Sequence, residues 1–356
     1  MKNTMAKNKR TKPYFYFSEN RKIVPSTNEE LNNLAREKLN EIKKSKIFKT
    51  IPVKFQENWD EVSLYHPTSN LAKSDALIID PENGAYSLSN KLNHLTGKEW
   101  TKSIKSWFIF DALHSDIKEE KEITSKVGLN SEDHPATYSP TMMAEFISFF
   151  TKEGDLVLDP FNGIGSTLVG CDRTGRRGVG IELNEKYFEI TKLRTKQKVI
   201  NGSSENIAEL LTENSIKDIN FSISSPPYWN ILQRSTGNFE KKRLEKSLDI
   251  QYSNKEVDIG NIDSYEEFVE RLSSIYFQIY DFLVKGAYLV VIVKNVKKSG
   301  QNYPLAWDLA KKMTEKYLLK DERIWCQDKV GLAPFGYPYA YTSNIVHHYC
   351  LVFRKE

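Results

Sequence analysis

The sequence predicts an α/β fold, an open sheet wound with helices on both faces, and three observations predict it. Apolar runs such as Leu156-Val157-Leu158 and Ala287 to Val293 are continuous rather than alternating, as in strands covered on both sides. These runs alternate along the chain with segments whose apolar residues recur at helical spacing. Two corners rich in glycine or proline, at 159–167 and 224–229, directly follow strands, where doubly wound sheets hold their ligands.

At 356 residues the chain exceeds one average domain. Residues 1–115 are read as a basic N-terminal accessory region and 116–356 as the α/β domain, with a polar insert at 231–262. A hydrophobic fraction of 39% with 12% aromatics is enough for a real core. The net charge is only +4, yet residues 1–55 carry nine more basic than acidic side chains. Such a concentration can meet a polyanion; for Met1 to Lys12 a solvated arm is an equal reading. Cys171, Cys326 and Cys350 are too few and too scattered for a disulfide framework or a zinc site, so no metal is expected. No apolar run is long enough for a bilayer, and no signal core follows the N-terminal lysines. The expectation is a soluble protein of a reducing cytoplasm.

Thr27 to Lys46 has helical apolar spacing through Leu31, Leu34, Leu39 and Ile42. Ile51 to Asp111 is mixed, with strand-like runs broken by Pro67, Pro81 and Gly84. Trp100 and Trp107 lie among basic residues there, and core or interdomain packing is a better reading for them than a nucleic-acid surface. Charges crowd Asp116 to Lys126, which reads as a mobile connection. Ser139 and Pro140 form a helix start, and Met142 to Phe150 supplies the helix.

A buried strand ending at Asp159 then leads into Pro160-Phe161-Asn162-Gly163-Ile164-Gly165-Ser166-Thr167, a sharp glycine turn with Ser166 and Thr167 as helix caps. A second short strand ends in Glu182. A glycine loop followed by an acid some twenty residues on is also the dinucleotide pattern, but Leu168 takes the place of its third glycine. Asp159 at the strand end would attract a sulfonium cation, whereas it offers a pyrophosphate little.

Ile219 to Ile223 alternates like a half-buried strand and ends in Ser224-Ser225-Pro226-Pro227-Tyr228-Trp229. Neither proline has an N–H to donate, so the ladder stops, and a hydroxyl, two carbonyls and two aromatic rings are presented at the strand end. The lysine-rich stretch Ile231 to Ile262 is long for a mere connection. Ser264-Tyr265-Glu266-Glu267 has the form of a capping box, opening a helix expected to stop at Gly286. Pro304 starts another amphipathic helix. Arg323 to Cys326 and Ile345 to Phe353 read as a terminal pair of strands joined by a loop holding Phe335, Tyr337, Tyr339 and Tyr341. Adjacent His347 and His348 face opposite sides of a strand and are read as structural.

Together the glycine turn and the Ser-Pro-Pro-Tyr corner resemble the motifs of the DNA amino-methyltransferases that act on cytosine N4 or adenine N6, and most resemble the N4-cytosine branch. The resemblance covers the chain from about His134 to the C-terminus, and more loosely the segment before it. It implies a Rossmann-like methyltransferase sheet with a terminal antiparallel strand. It also implies S-adenosylmethionine as cofactor, double-stranded DNA as substrate, and a modification system that a cognate restriction endonuclease can accompany. The motif order, cofactor turn first and proline corner second, departs from the permuted order of many N4-cytosine members.

Carried onto this sequence, the resemblance gives cofactor contacts at His134, Thr137, Asp159, Phe161, Gly163, Gly165, Ser166, Thr167, Glu182 and Ser203. Ser203 stands where the family has an acid; its contact could come from the hydroxyl, from backbone, or be missing. The resemblance gives catalytic roles to Ser225, Pro226, Pro227 and Tyr228, with Tyr228 stacked on the target base. Trp229, Arg234, Lys241, Lys242, Arg243, Tyr337 and Tyr339 are the expected DNA contacts. Carbon-5 methylation needs a cysteine thiolate, which in the enzymes that do it follows a proline, and no cysteine here does. The competing readings are an adenine-N6 enzyme, an RNA or small-amine methyltransferase, and an inactive DNA-binding module.

Overall fold

The computed structural model describes residues 15–19, 22–25, 29–65, 76–111, 113–125, 138–229, 258–298 and 300–356. The chain divides into two units between Ile104 and Lys105.

In the first unit, β1 (Phe15–Glu19) and β2 (Lys22–Pro25) precede a sixteen-residue helix, α1 (Glu29–Lys44). Its sequence explains its length: two acids open it, two lysines close it, and Ala35, Leu39 and Ile42 form one buried stripe. After α2 (Val53–Glu57) come β3 (Ser63–Tyr65), β4 (Leu77–Asp80) and β5 (Gly84–Ser87), giving a five-stranded sheet in the order β2-β1-β3-β4-β5. Phe55, Trp59, Leu64, Ile78 and Tyr86 join the α1 stripe in a single core. α3 (Gly97–Ser103) starts with a full capping box, Thr96 with Glu99.

The second unit carries β6 (Trp107–Ile109), α4 (His114–Ser125), α5 (Pro140–Phe150), β7 (Leu156–Asp159), α6 (Ser166–Thr174), β8 (Arg177–Glu182), α7 (Glu185–Arg194), β9 (Lys198–Asn201), α8 (Ile207–Glu213) and β10 (Ile219–Ser224). It continues with α9 (Tyr265–Ile279), β11 (Leu283–Val293), the hairpin β12 (Val296–Lys298) and β13 (Gln301–Tyr303), α10 (Leu305–Met313), β14 (Leu318–Cys326) and β15 (His347–Arg354). Eight strands form one sheet in the order β6-β14-β15-β11-β10-β7-β8-β9. β9, β8, β7, β10 and β11 run parallel, and β15 is antiparallel to both β11 and β14. This is the doubly wound sheet with a terminal antiparallel strand that was expected. From β7 the chain winds one way to β8 and β9, then returns through β10 to β11, so the order reverses between β7 and β10. The corners at 159–167 and 224–229 both sit at that switch point.

Two apolar layers cover the sheet. Phe268, Leu272, Ile275 and Ile279 of α9 and Leu305 and Leu309 of α10 pack on one face, Met142, Phe146 and Phe150 of α5 on the other.

Four expectations change. β10 is not half-buried; its alternating serines lie inside, where Ser222 Oγ donates to the Leu158 carbonyl at 3.0 Å and Ser224 Oγ meets the Tyr276 hydroxyl at 2.8 Å. A polar residue with a buried partner mimics a solvent-facing one in the sequence pattern. Asp116 to Ser125 is a helix rather than a mobile connection, because its charges have partners far along the chain. Asp116 accepts from Ser139, from Thr141 Oγ1 at 3.1 Å and from Arg173 at 2.8 Å, while Glu120 pairs with the buried Arg194 at 3.1 Å. The helix from Ser264 ends at Ile279, and Gly286, at φ +81°, instead sits in a bulge of β11. Trp107 is 53% exposed on the edge strand β6, so it is not core.

Candidate functional site

A cleft opens at the C-terminal ends of β7, β8 and β10. Its walls are the glycine turn, Glu182 and Leu183, Tyr187, Ser203 to Glu205, Ser225 with Pro227, and Asp258 with Ile259.

The turn is held from three sides. Asn162 N–H donates to the Ile181 carbonyl at 3.0 Å, and Thr191 Oγ1 donates to the Gly163 carbonyl at 3.1 Å. Arg194 donates to the Ile164 carbonyl at 2.6 Å. Gly163 and Gly165 take φ values of +54° and +87°, the left-handed region. Gly165 itself is the N-cap of α6, with no side-chain cap, so Ser166 and Thr167 lie inside the helix instead of capping it.

Glu182 closes the turn from the next strand. One carboxylate oxygen accepts Gly163 N–H and the other Asn184 N–H, both at 2.7 Å. When ionised, each oxygen keeps a further lone pair, and the side chain lines the cleft, so the pair can then receive two hydroxyls of a vicinal diol. Burial pushes its carboxyl up to about 8; the two backbone donors oppose this, and Asp159 and Asp258 add to it. A carboxyl raised on folding stabilises the fold while protonated, and the benefit disappears as pH climbs through its folded value. Relative to Glu182→Gln, the ligand-free protein should therefore lose stability between about pH 5 and pH 8. Urea unfolding at both pH values checks this; an equal gap at both would contradict it.

Asp159 departs from expectation. It is 0% exposed and does not line the cleft. Its carboxylate accepts Thr167 Oγ1 at 2.5 Å, Phe161 N–H at 3.0 Å and the Tyr138 hydroxyl. Burial pushes it up to about 7 against those three bonds. Asp159, Gly165 and Thr167 thus stand behind the wall of the cleft and fix the turn. Phe161, Gly163, Ser166, Glu182 and Ser203 do line the cleft, and His134 and Thr137 lie outside the described residues. Ser203 Oγ also caps the 204–206 turn by accepting Glu205 N–H at 3.3 Å.

Of the proline corner, Ser225 and Pro227 face the cleft and Pro226 is buried. Tyr228 stands behind Ser225, hydroxyl to hydroxyl at 2.8 Å, with its ring 6.1 Å from that of His348. Its phenol is held well above the ordinary value by burial, so it stays a proton donor rather than a base. Trp229 does not reach a DNA-facing surface: it is 3% exposed, wedged between Tyr265 and Tyr303, with the Lys298 ammonium 3.9 Å above its ring. Arg234, Lys241, Lys242 and Arg243 lie outside the described residues. Tyr337 and Tyr339 are exposed. His348 stacks on Trp325 at 4.2 Å, in keeping with a structural role.

Two residues of the site escaped the sequence reading. Tyr138 lines the cleft while its hydroxyl bonds Asp159 and the Ser225 backbone, tying the glycine turn to the proline corner. Asp258 caps a short turn through Gly260 N–H at 2.9 Å and puts a buried carboxylate into the cleft wall. Only the run Asp258-Ile259-Gly260 could have signalled it, as a cap.

Among the described residues no cluster of His, Cys, Asp or Glu could hold a metal ion, and no helix is long and apolar enough to cross a membrane.

The DNA methylase family model (N6_N4_Mtase) matches residues 2–193, which include the glycine turn and end before the proline corner. The match thus reaches far into the N-terminal region, where the likeness was expected to be loose. Type II methyltransferase M2.DpnII of Streptococcus pneumoniae is 33% identical over 100 residues, 26% of this chain and 37% of that protein. Type II methyltransferase M.MjaII of Methanocaldococcus jannaschii is 26% identical over 175 residues, 48% and 31% of the two chains. The chain thus spans about a third of the length of these curated relatives. A solved methyltransferase from Pyrococcus furiosus aligns with a TM-score of 0.37 at 17% identity, covering 68% of this chain and 96% of that one.

Proposed function

This chain belongs to the DNA methylase family, and from that premise we propose that it methylates the exocyclic N4 amine of a cytosine flipped out of duplex DNA. The observation that carries the reading is one cleft at the sheet's switch point that has Glu182 and the glycine turn on one wall and Ser225 on another.

S-adenosylmethionine fits that cleft. The free lone pairs of Glu182 suit its ribose diol, and the apolar faces of Phe161, Tyr187, Ile259 and Ile275 suit its adenine. When bound, it supplies an electrophilic methyl group on a sulfonium. The residues do the rest by orientation. An aromatic amine is a poor nucleophile because its lone pair is delocalised into the ring. Accepting both of its N–H hydrogens favours a tetrahedral nitrogen aimed at the methyl carbon. Ser225 Oγ accepts one and the Pro226 carbonyl the other. With Tyr228 donating to Ser225, the serine oxygen keeps a lone pair for the amine. Tyr337 and Tyr339 meet the DNA, whose target base has to leave the stack at a cost of a few kcal/mol.

Serine before Pro-Pro favours cytosine over adenine N6, the runner-up. Membership of a modification system with a restriction endonuclease goes with the same reading. The test is to methylate a defined plasmid and map the modified base by single-molecule sequencing. N4-methylcytosine in one sequence context is expected. N6-methyladenine would move the protein to the runner-up, and label appearing only in RNA would end the proposal.

A further inference from the structure

The loop between β14 and β15 carries the most exposed aromatic rings described in this chain: Tyr337 at 82%, Tyr339 at 94% and Tyr341 at 95%. It is not an open coil. Asn344 ties it shut by bonding both the N–H and the carbonyl of Ala333, at 3.0 and 2.8 Å. Tyr339 and Ala340 N–H both donate to the Gly336 carbonyl at 2.7 Å, and Lys297 holds Ser343 from the neighbouring hairpin. A closed loop whose large rings point outward leaves apolar surface in water that a folded monomer has every reason to bury.

Topology says what lies nearby. β15 starts antiparallel to β11, so the loop leaves the sheet at the edge where β10 ends in the proline corner. At the loop's foot, His348 stacks on Trp325 and faces the Tyr228 ring. From Lys329 to Lys355 the sequence contains no aspartate or glutamate, so nothing on this stretch repels phosphate.

We propose that this loop is a wedge: Tyr337 and Tyr339 enter the duplex beside the target and stack on the bases that flipping leaves uncovered. The inference rests on the DNA-methylating reading of the cleft and assigns the opening of the helix to a second element. Stacking on a base is sequence-tolerant, so the wedge contributes to flipping rather than to recognition.

The test uses the full-length protein and its mapped site in three duplexes: matched, mismatched at the target, and with an abasic position opposite the target. The double variant Tyr337→Ala, Tyr339→Ala should lose about thirtyfold or more in kcat/KM on the matched duplex, the scale of two lost stacking contacts. On the two duplexes whose target is already loosened it should come within about threefold of the unaltered protein, because little unstacking remains to be done. Equal loss on all three duplexes would reduce the loop to a simple affinity contact and overturn the wedge. Unchanged turnover overturns it too, and with altered sedimentation would mark the loop as a contact between copies of this chain. If the unaltered protein methylates none of the duplexes, the reading of the cleft has failed, and the wedge with it.

Discussion

Ser225→Ala should lower the rate of methyl transfer by about 100- to 1,000-fold, the usual effect of removing one oriented hydrogen-bonding group from a reacting centre. The dissociation constant for S-adenosylmethionine should stay within about twofold, because the groups assigned to the cofactor sit on other elements. The asymmetry follows from position. Ser225 lines the same cleft as Glu182, but Glu182 is fixed by Gly163 and Asn184, not by the proline corner. Tyr228→Phe is the companion: it keeps the ring beside His348 and removes only the hydroxyl 2.8 Å from Ser225 Oγ. That variant should lose less than Ser225→Ala, since the serine oxygen can still accept from the amine. Single-turnover methylation and equilibrium dialysis separate the two quantities. Parallel loss of binding and rate in Ser225→Ala would mean that the corner holds the cofactor, contrary to the role given it here.

What the sequence could say about this site depended on how far apart the partners are in the chain. The strand, the turn and the carboxylate on the following strand are local, and β7, the turn and Glu182 stand where the pattern put them. So does the terminal antiparallel strand, whose apolar run pairs with β11 from Tyr288 to Val293. Asp116 was illegible for the opposite reason: Ser139 is 23 residues on and Arg173 is 57. A helix whose charges are satisfied at that range has the composition of a solvated linker. Tyr138 is a similar case, since its bonds to Asp159 and Ser225 join segments that only the folded sheet brings together. Asp159 was found at the right strand end, but a sequence does not tell which way a terminal side chain turns, and this one turns inward to Thr167. Trp229 misled through its neighbours, because a tryptophan beside a proline corner looks available for stacking until Tyr265 and Tyr303 enclose it.

The largest stability effect should come from the turn itself, and a paired substitution separates its two physical parts. Gly154 and Gly165 both hold left-handed backbone, at φ +82° and +87°. A Cβ on Gly154 would meet nothing within 4 Å, whereas one on Gly165 would lie 2.8 Å from Thr191 Cγ2 and 3.0 Å from its Oγ1. Gly154→Ala should therefore cost only the backbone strain, about 1–2 kcal/mol. Gly165→Ala should add an overpacking penalty of about 1–3 kcal/mol. It should also weaken cofactor binding, because Thr191 cannot retreat without releasing the Gly163 carbonyl and Asn162. Thr191→Ser in the Gly165→Ala background removes the closest of the clashing atoms and keeps the hydroxyl, so it should recover part of both losses. Urea unfolding and cofactor titration of the unaltered protein, Gly154→Ala, Gly165→Ala, Thr191→Ser and the Gly165→Ala, Thr191→Ser double variant measure the coupling directly. Equal destabilisation by Gly154→Ala and Gly165→Ala, with no recovery from Thr191→Ser, would show that α7 does not brace the turn and that backbone conformation alone shapes this wall of the cleft.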